Sequence, residues 1–185
     1  MRIIAGRGKG RRLKSPPGRV ARPTTDRVRE ALFSMLGDLE GALVVDAFAG
    51  SGALGLEALS RGAERSYFFD VNRKAVDTVR ENVGRLGVDD RAIVSQLPFQ
   101  RGLKEVVRGE PDLWFMDPPY GGTAAREGLE AMADCRSKVT PGALVVWESD
   151  KDEELFEVDR FEITKERTYG RIRLVFFRCI DVEPR

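Results

Sequence analysis

No histidine occurs in this sequence. That excludes a Ser-His-Asp triad, a Cys-His pair and every imidazole-held metal centre. Cysteine is nearly absent as well. Cys135 and Cys179 stand in unrelated contexts, which suits small buried apolar residues and not a disulfide framework or a metal pair. No bound metal is expected. No apolar run approaches the roughly 20 residues of a membrane helix. The N-terminal stretch MRIIAGRGKGRRLKSPPGR has bases but no apolar h-region, so it does not read as a signal peptide. The expectation is a cytoplasmic protein without membrane contact, a monomer. Its chemistry must rest on carboxylates, backbone groups or a cofactor that carries its own reactivity.

What is present is ordinary in amount and uneven in placement. Of 185 residues, 42% are hydrophobic and 33% charged, enough for one domain with a core. Residues 1–30 hold ten Lys/Arg against two Asp/Glu, a local charge of +8, while the remaining 155 residues hold 21 bases against 28 acids, or −7. A basic arm on an acidic body points to a polyanionic partner met from one side, or to a solubilising tail. The division expected is a basic N-terminal arm over 1–23 and one catalytic domain over 24–185.

Along the chain, MRIIAG is a short strand candidate. TTDRVREALFSMLGDL has Val28, Leu32, Met35, Leu36 and Leu39 at helical spacing, with Thr24 or Thr25 as N-cap. Apolar strands and amphipathic helices then alternate. ALVVDAF, RSYFFDV, RAIVSQL, LWFMD and GALVVWES read as strands. Helices are expected over SGALGLEALSRG to Gly62, over NRKAVDTVRENVGRLG between Asn72 and Gly87, near 99–108, and near 123–139. RFEITKER and RIRLVFFRC, joined at TYG, read as an antiparallel hairpin. The fold class is therefore α/β, a parallel sheet with helices on both faces and a C-terminal antiparallel hairpin. Ligands in such sheets sit beyond the carboxyl ends of the strands, which directs attention to Asp46–Gly52, Asp70, Gln96–Leu97, Asp117–Tyr120 and Glu148.

Gly50, Gly52 and Gly55 in DAFAGSGALG fit G-x-G-x-x-G between a strand and a helix, with Asp70 at the next strand end. This is the pattern of a nucleoside cofactor site, or of a tight strand-to-helix turn. Asp46 beside the loop would repel a pyrophosphate and suits the ammonium or sulfonium of S-adenosylmethionine. Its bland alternative is a partly exposed strand-end acid. Asp70 can accept both ribose hydroxyls through its carboxylate oxygens, or cap the helix that begins near Asn72.

LWFMDPPYGG poses a different question, because two consecutive prolines stop a strand rigidly. An exocyclic base amine is a poor nucleophile whose lone pair is delocalised into the ring. The Asp117 carboxylate and the Pro118 carbonyl are acceptors that can hold such an amine. Pro118 and Pro119 lock both in place, and Tyr120 offers a stacking face. The alternative is a rigid strand stop and nothing more.

DAFAGSGALGLEALSRGA with DPPY resembles the class I amino-methyltransferases that act on nucleic-acid bases. RIIAGRGKGRRL followed by RPTTDRVREALFSML is more specific and resembles the RsmD-type 16S ribosomal RNA guanine-N2 methyltransferases. The likeness runs over nearly the whole chain and is weakest at 97–112 and 150–168. It implies a Rossmann-like class I methyltransferase fold with a seven-stranded, mostly parallel sheet. It also implies S-adenosylmethionine as cofactor, and 16S ribosomal RNA in the small subunit or its assembly intermediate as partner. By resemblance, Asp46, Phe48, Ala49, Gly50, Ser51 and Gly52 hold the methionine part, and Asp70 with Val71 the ribose side. Thr24 with Arg22 and Pro23 closes over the cofactor, and Asp117, Pro118, Pro119 and Tyr120 form the base clamp. The arm, through Arg7, Lys9, Arg11, Arg12 and Arg22, meets RNA. The family usually has Phe where Tyr120 stands. After the third strand, where class I enzymes often place an acid near adenine, this chain reads SQLPFQ, so Gln96 and the Leu97 backbone are the candidates there. Three rivals stay open: a DNA adenine-N6 methyltransferase, an NAD-dependent oxidoreductase, and a non-catalytic RNA-binding assembly factor.

Overall fold

The structure is a computed structural model that describes residues 1–17, 25–119 and 121–181. Its elements run α1 (Asp26–Leu36), β1 (Leu43–Asp46), α2 (Ala53–Ser60), β2 (Arg65–Phe69), α3 (Arg73–Leu86), β3 (Ala92–Ser95), α4 (Phe99–Glu105), β4 (Leu113–Met116), α5 (Ala124–Asp134), β5 (Leu144–Asp150), β6 (Phe161–Tyr169) and β7 (Ile172–Cys179). The seven strands form one sheet in the order β3-β2-β1-β4-β5-β7-β6. The first five are parallel, and β7 runs antiparallel between β5 and β6. The strand order reverses between β1 and β4, which opens a crevice at their carboxyl ends. This is the mostly parallel α/β sheet with a C-terminal antiparallel hairpin that the alternating pattern implies.

The apolar strand runs divide their residues by alternation. Val44, Phe68, Phe115 and Val146 face one core with α1, α2 and α3. Val45, Tyr67, Phe69, Trp114, Met116, Val145 and Trp147 face the other with α4 and α5. Local signals set the helix starts. Thr25 caps α1 by accepting from Val28 N at 3.3 Å. Asn72 caps α3 by accepting from Lys74 N at 2.9 Å, and Gly87 closes it in the left-handed region. Helix α5 stops at Asp134, short of 139. Cys135 leaves the helical region there, and the Arg160 guanidinium takes the carbonyls of Ala133 and Val139. Helix α4 likewise ends before 108. No helix among the described residues is long and apolar enough to cross a membrane.

The arm departs from expectation. MRIIAG makes only an isolated Arg2–Arg12 bridge. The rest of residues 1–14 docks on α2 and α3, with Ile3 and Leu13 buried in the first core. Glu57, fully buried on α2, accepts Ile4 N at 2.7 Å and Ala5 N at 3.0 Å and holds Arg61 at 2.8 Å. Ser60 Oγ donates to Ala5 O and accepts from Gly8 N. Asn82 binds both backbone groups of Lys14 and also donates to Ser51 O. The arm's bases are also less available than their number suggests. Arg2 pairs with Asp26, and Lys14 pairs with Glu81. Arg29 of α1, in the same basic stretch of sequence, is buried and bonded to Asp26. Arg11 donates to Arg85 O and Leu86 O at the C-terminal end of α3, where free carbonyls favour a cation.

Replacing Glu57 by Ala strands two part-buried N–H groups and one guanidinium. The expected cost is about 2–4 kcal/mol of folding free energy, read by urea denaturation. Limited proteolysis of the variant should cut within residues 1–14 first.

Candidate active site

The glycine loop leaves β1 at the strand-order reversal. Ala47 N donates to Phe115 O on β4, and Ala49 N donates to Phe69 O on β2, so the loop is bonded to both neighbouring strands. Gly52 starts α2 from the left-handed region (φ 78°). A Cβ at Gly55 would lie 2.4 Å from the Phe68 ring and 2.6 Å from Ser66 Oγ, so only glycine lets α2 rest on β2 this closely. Phe48 packs near Phe99, with ring centroids 6.4 Å apart. Ser51 Oγ lies 3.8 Å from Met1 Sδ, which brings the first residue of the arm to the loop.

Asp46 is buried at the end of β1, and its Oδ2 accepts Gly55 N at 3.1 Å. It is not the partly exposed acid of the bland reading. Burial raises its pKa to about 7; the bond from Gly55 opposes that rise, and the negative charge of Asp70 adds to it. The loop thus holds a carboxyl that a nearby cation would ionise.

Asp70 follows β2. Its Oδ2 accepts Gly50 N at 3.0 Å and its Oδ1 accepts Asn72 N at 2.8 Å. It ties the glycine loop to the turn that starts α3, and each oxygen keeps a lone pair for a further donor. Beyond it Val71 is 66% exposed, one of the few large apolar side chains left open to solvent among the described residues. Gln96 Nε2 donates to Val71 O at 3.3 Å, which joins the ends of β2 and β3. With its amide nitrogen engaged, Gln96 keeps its oxygen as an acceptor, and Leu97 packs half-buried against the second core.

Asp117 and Pro118 follow β4 directly, Asp117 half-buried and Pro118 buried, while Pro119 is exposed. Asp46 pairs in register with Phe115, and Met116 with Trp147. Asp46, Asp117 and the buried Glu148 therefore stand near the carboxyl ends of three adjacent strands, β1, β4 and β5. Tyr120, Thr24 and Arg22 lie outside the described residues. Past Tyr120, Gly121 N donates to Glu153 Oε1 at 2.5 Å, and Glu153 Oε2 accepts Asp150 N at 3.2 Å. Arg173 donates to Glu153 O. Glu153 thus anchors the far end of the proline turn to the end of β5. The sequence offers no local signal for this role. Glu57 did leave one, as a lone acid in an otherwise apolar helix.

Of the five arm and linker bases assigned to RNA, Arg7, Lys9 and Arg12 are exposed and have no ion pair among the described residues. Arg11 is occupied at α3. Arg12 lines a cleft of about 530 Å³ with Met1, Arg2, Gly10, Leu13 and Asp26.

Comparison with known proteins places this geometry. The model of the family described as "Conserved hypothetical protein 95" matches residues 1–178. YlbH of Bacillus subtilis 168 is 37% identical over 182 residues, spanning 96% of this chain and 98% of that protein. The ribosomal RNA small subunit methyltransferase D of Escherichia coli K12 is 33% identical over 175 residues, 93% of this chain and 86% of that protein. The solved yhhF structure from Escherichia coli superimposes with a TM-score of 0.82 at 31% identity, covering 97% of this chain and 98% of that one. With a match across nearly its full length, the chain belongs to the family described as conserved hypothetical protein 95, built on the Rossmann-like class I methyltransferase fold.

Proposed function

We propose that this protein transfers the methyl group of S-adenosylmethionine to the exocyclic N2 amine of a guanine in small-subunit ribosomal RNA. The observation that carries this reading is the meeting of two devices at the β1/β4 crevice: a buried carboxyl under a glycine loop, and an acid-led proline turn. The likeness to proteins named as ribosomal RNA small subunit methyltransferases supports the substrate class. The cofactor supplies an activated methyl on a cationic sulfur, so no histidine base is required.

The residues present fit that cofactor. Asp46 sits where the sulfonium or ammonium charge would ionise it. The same placement disfavours a dinucleotide, whose pyrophosphate would face an acid. Asp70 has free lone pairs for ribose hydroxyls, Val71 an open apolar face, and Gln96 an acceptor for the adenine amine. Asp117 and the Pro118 carbonyl accept from the target amine and hold its lone pair toward the donor, and Tyr120 supports the base by stacking. The proton lost from the amine passes to Asp117 or to solvent. The path from β1 to β4 contains only α2, β2, α3, β3 and α4, which leaves no inserted DNA-recognition domain. The test is incubation with S-adenosylmethionine and either unmodified small subunits, their naked RNA or duplex DNA, followed by nucleoside mass spectrometry. N2-methylguanosine in the RNA is expected. Methyl transfer to DNA adenine, or to nothing, overturns the reading.

Asp117→Ala should lower turnover by about 100- to 1,000-fold while leaving cofactor affinity near wild type, because it removes an acceptor used at the reacting amine. Asp117→Asn should keep part of the activity. Near-normal turnover of the alanine variant removes Asp117 from the mechanism.

Asp70→Ala should weaken S-adenosylmethionine binding by about 1.5–3 kcal/mol in calorimetry, the scale of hydrogen bonds to a charged group. Unchanged affinity would restrict Asp70 to tying the loop.

Asp46 makes cofactor binding depend on pH. Its folded pKa, about 7, lies above its unfolded value, so its carboxyl costs stability in the free protein as pH rises from about 4 toward 7. A bound cation favours the ionised form. Affinity should therefore rise with pH up to about 7 and level off above, with proton release on binding below that point. Calorimetry in buffers of different ionisation enthalpy reads both effects, and Asp46→Asn should abolish the pH dependence.

A further inference from the structure

The geometry points to a second RNA-contacting surface on the face that β6 presents toward α1, leading away from the proline turn; it rests on the RNA reading above. Strand β6 is an edge strand, exposed along most of its length. Past Ile163 its charges are sorted by face, whereas Glu162, before it, pairs with Arg178 and shares the side of Lys165 and Arg167. Residues opposite one another in an antiparallel pair point to the same side. Lys165 pairs with Phe176, Arg167 with Leu174 and Tyr169 with Ile172, and all three partners belong to the core beneath α1. Glu166 pairs with Val175 and Ile163 with Phe177, both of the opposite core. An irregularity between Ile163 and Lys165 sets this phase. In an unbroken register Thr164, Glu166 and Thr168 would face α1 instead. The bulge thus turns two bases and an aromatic ring toward one side and Glu166 toward the other, a use of bulges that re-aims side chains. Lys165 Nζ lies 5.7 Å from the Phe176 ring centroid, consistent with that face.

The stripe ends in a cleft. Thr168, Tyr169 and Gly170 at the hairpin tip face Thr25, Arg27 and Val28 on the first turn of α1 across about 410 Å³. That volume lies within the roughly 300–1,000 Å³ of small-ligand clefts. Tyr169 packs half-buried against the first core, so its ring is held in place at the rim. Arg27, Lys165 and Arg167 are exposed, and none has an ion pair among the described residues. Nearby acids are largely taken: Asp26 is bound by Arg2 and Arg29, and Asp150 by Arg171. Glu30, one turn along α1, is exposed and is the opposing charge on that helix.

The hairpin tip is also tied to the proline turn through a chain of hydrogen bonds. Ile172 pairs with Asp150 at the carboxyl end of β5, so the hairpin tip stands at the same edge of the sheet as Asp117. Arg171 bonds Asp150, Asp150 N bonds Glu153, and Glu153 bonds Gly121 N just past the proline turn. Spaced cations beside one fixed ring fit a single RNA strand, with phosphates on Arg27, Lys165 and Arg167 and one base on Tyr169. With Arg11 of the arm already engaged at α3, this surface supplies cations that the arm does not.

Binding of a short fluorescein-labelled single-stranded oligoribonucleotide, measured by anisotropy over a salt series, tests the assignment. Arg27→Ala/Lys165→Ala/Arg167→Ala should weaken binding about 10- to 100-fold and reduce the slope of log K against log salt by about 2, three contacts at about 0.7 each. Tyr169→Ala should weaken it about five- to 100-fold with the slope unchanged, and Tyr169→Phe should restore it. Calorimetric S-adenosylmethionine affinity and thermal melting should match wild type in the triple variant, and saturating RNA should restore its turnover. Wild-type affinity and slope in both the triple and Tyr169→Ala variants overturn the assignment. A defect confined to assembled subunits, absent with oligoribonucleotide and naked RNA, also overturns it and makes the face a protein contact. If wild-type protein methylates no ribosomal RNA but these variants still lose oligonucleotide affinity, the methylation reading fails and the RNA surface stands.

Discussion

The hydrogen bond from Gly55 N–H to Asp46 Oδ2 joins the first strand of the sheet to the helix that organises the rest of the site. It forms only because α2 lies almost flush on β2, an approach that any Cβ at position 55 would block. From that placement three consequences follow. The glycine loop is compressed between β1 and α2 and is bonded to both neighbouring strands. Asp46 is shut away from water with Gly55 N as its partner, so it holds its proton up to about pH 7 until a cation is near. And the far side of the same helix, through Glu57 and Ser60, is available to receive the N-terminal arm. One helix therefore fixes the glycine loop on one side and the arm on the other.

The arm illustrates how burial overrides composition. Its charge of +8 reads as a solvated, polyanion-seeking extension, yet Ile3 and Leu13 enter the core and polar atoms of Glu57, Ser60 and Asn82 satisfy the backbone between them. These contacts span some 50 to 70 positions in sequence. The hairpin shows the converse case. It lies in the acidic remainder of the chain, but the bulge in β6 turns Lys165 and Arg167 to one side and Glu166 to the other, so a region of mixed sign presents a local surplus of bases. Net charge over a segment is a poor guide to where a polyanion meets the surface, because pairing and strand phase decide which charges remain available.

The elements with strong periodicity were legible in the sequence, as were their local stops. The continuous apolar runs of β1 and β4 announce strands buried on both faces. Thr25, Asn72 and Gly87 mark helix ends through contacts only a few residues long, and the prolines at 118 and 119 end β4 by covalent geometry alone. The glycine pattern, Asp46, Asp70 and Asp117 could be placed at one sheet edge because parallel topology brings consecutive strand ends together. What the sequence did not disclose depends on partners distant in the chain. The early end of α5 is held by Arg160, a positive-φ residue some 25 positions on. The β6 bulge has no glycine to signal it. The part Glu153 plays is visible only once β5 lies beside β4.

Glu153 also bears on why the proline turn works as a rigid element. Prolines fix φ within the turn, but they cannot fix where the turn points, since its exit at Gly121 lies in a region of backbone open chiefly to glycine (φ 77°). Left alone, that exit could swing and carry the acceptors at Asp117 and Pro118 with it. The Glu153 carboxylate closes this freedom by taking Gly121 N with one oxygen and Asp150 N with the other, so the turn is fastened at both ends to neighbouring strands, β4 by covalent continuity and β5 by hydrogen bonds. Misplacement by about 1 Å at a reacting centre can cost about 100-fold in rate. On the proposed function, a site that relies on positioned acceptors in place of an imidazole base has few other means of acceleration, and it must therefore hold its acceptors from both sides.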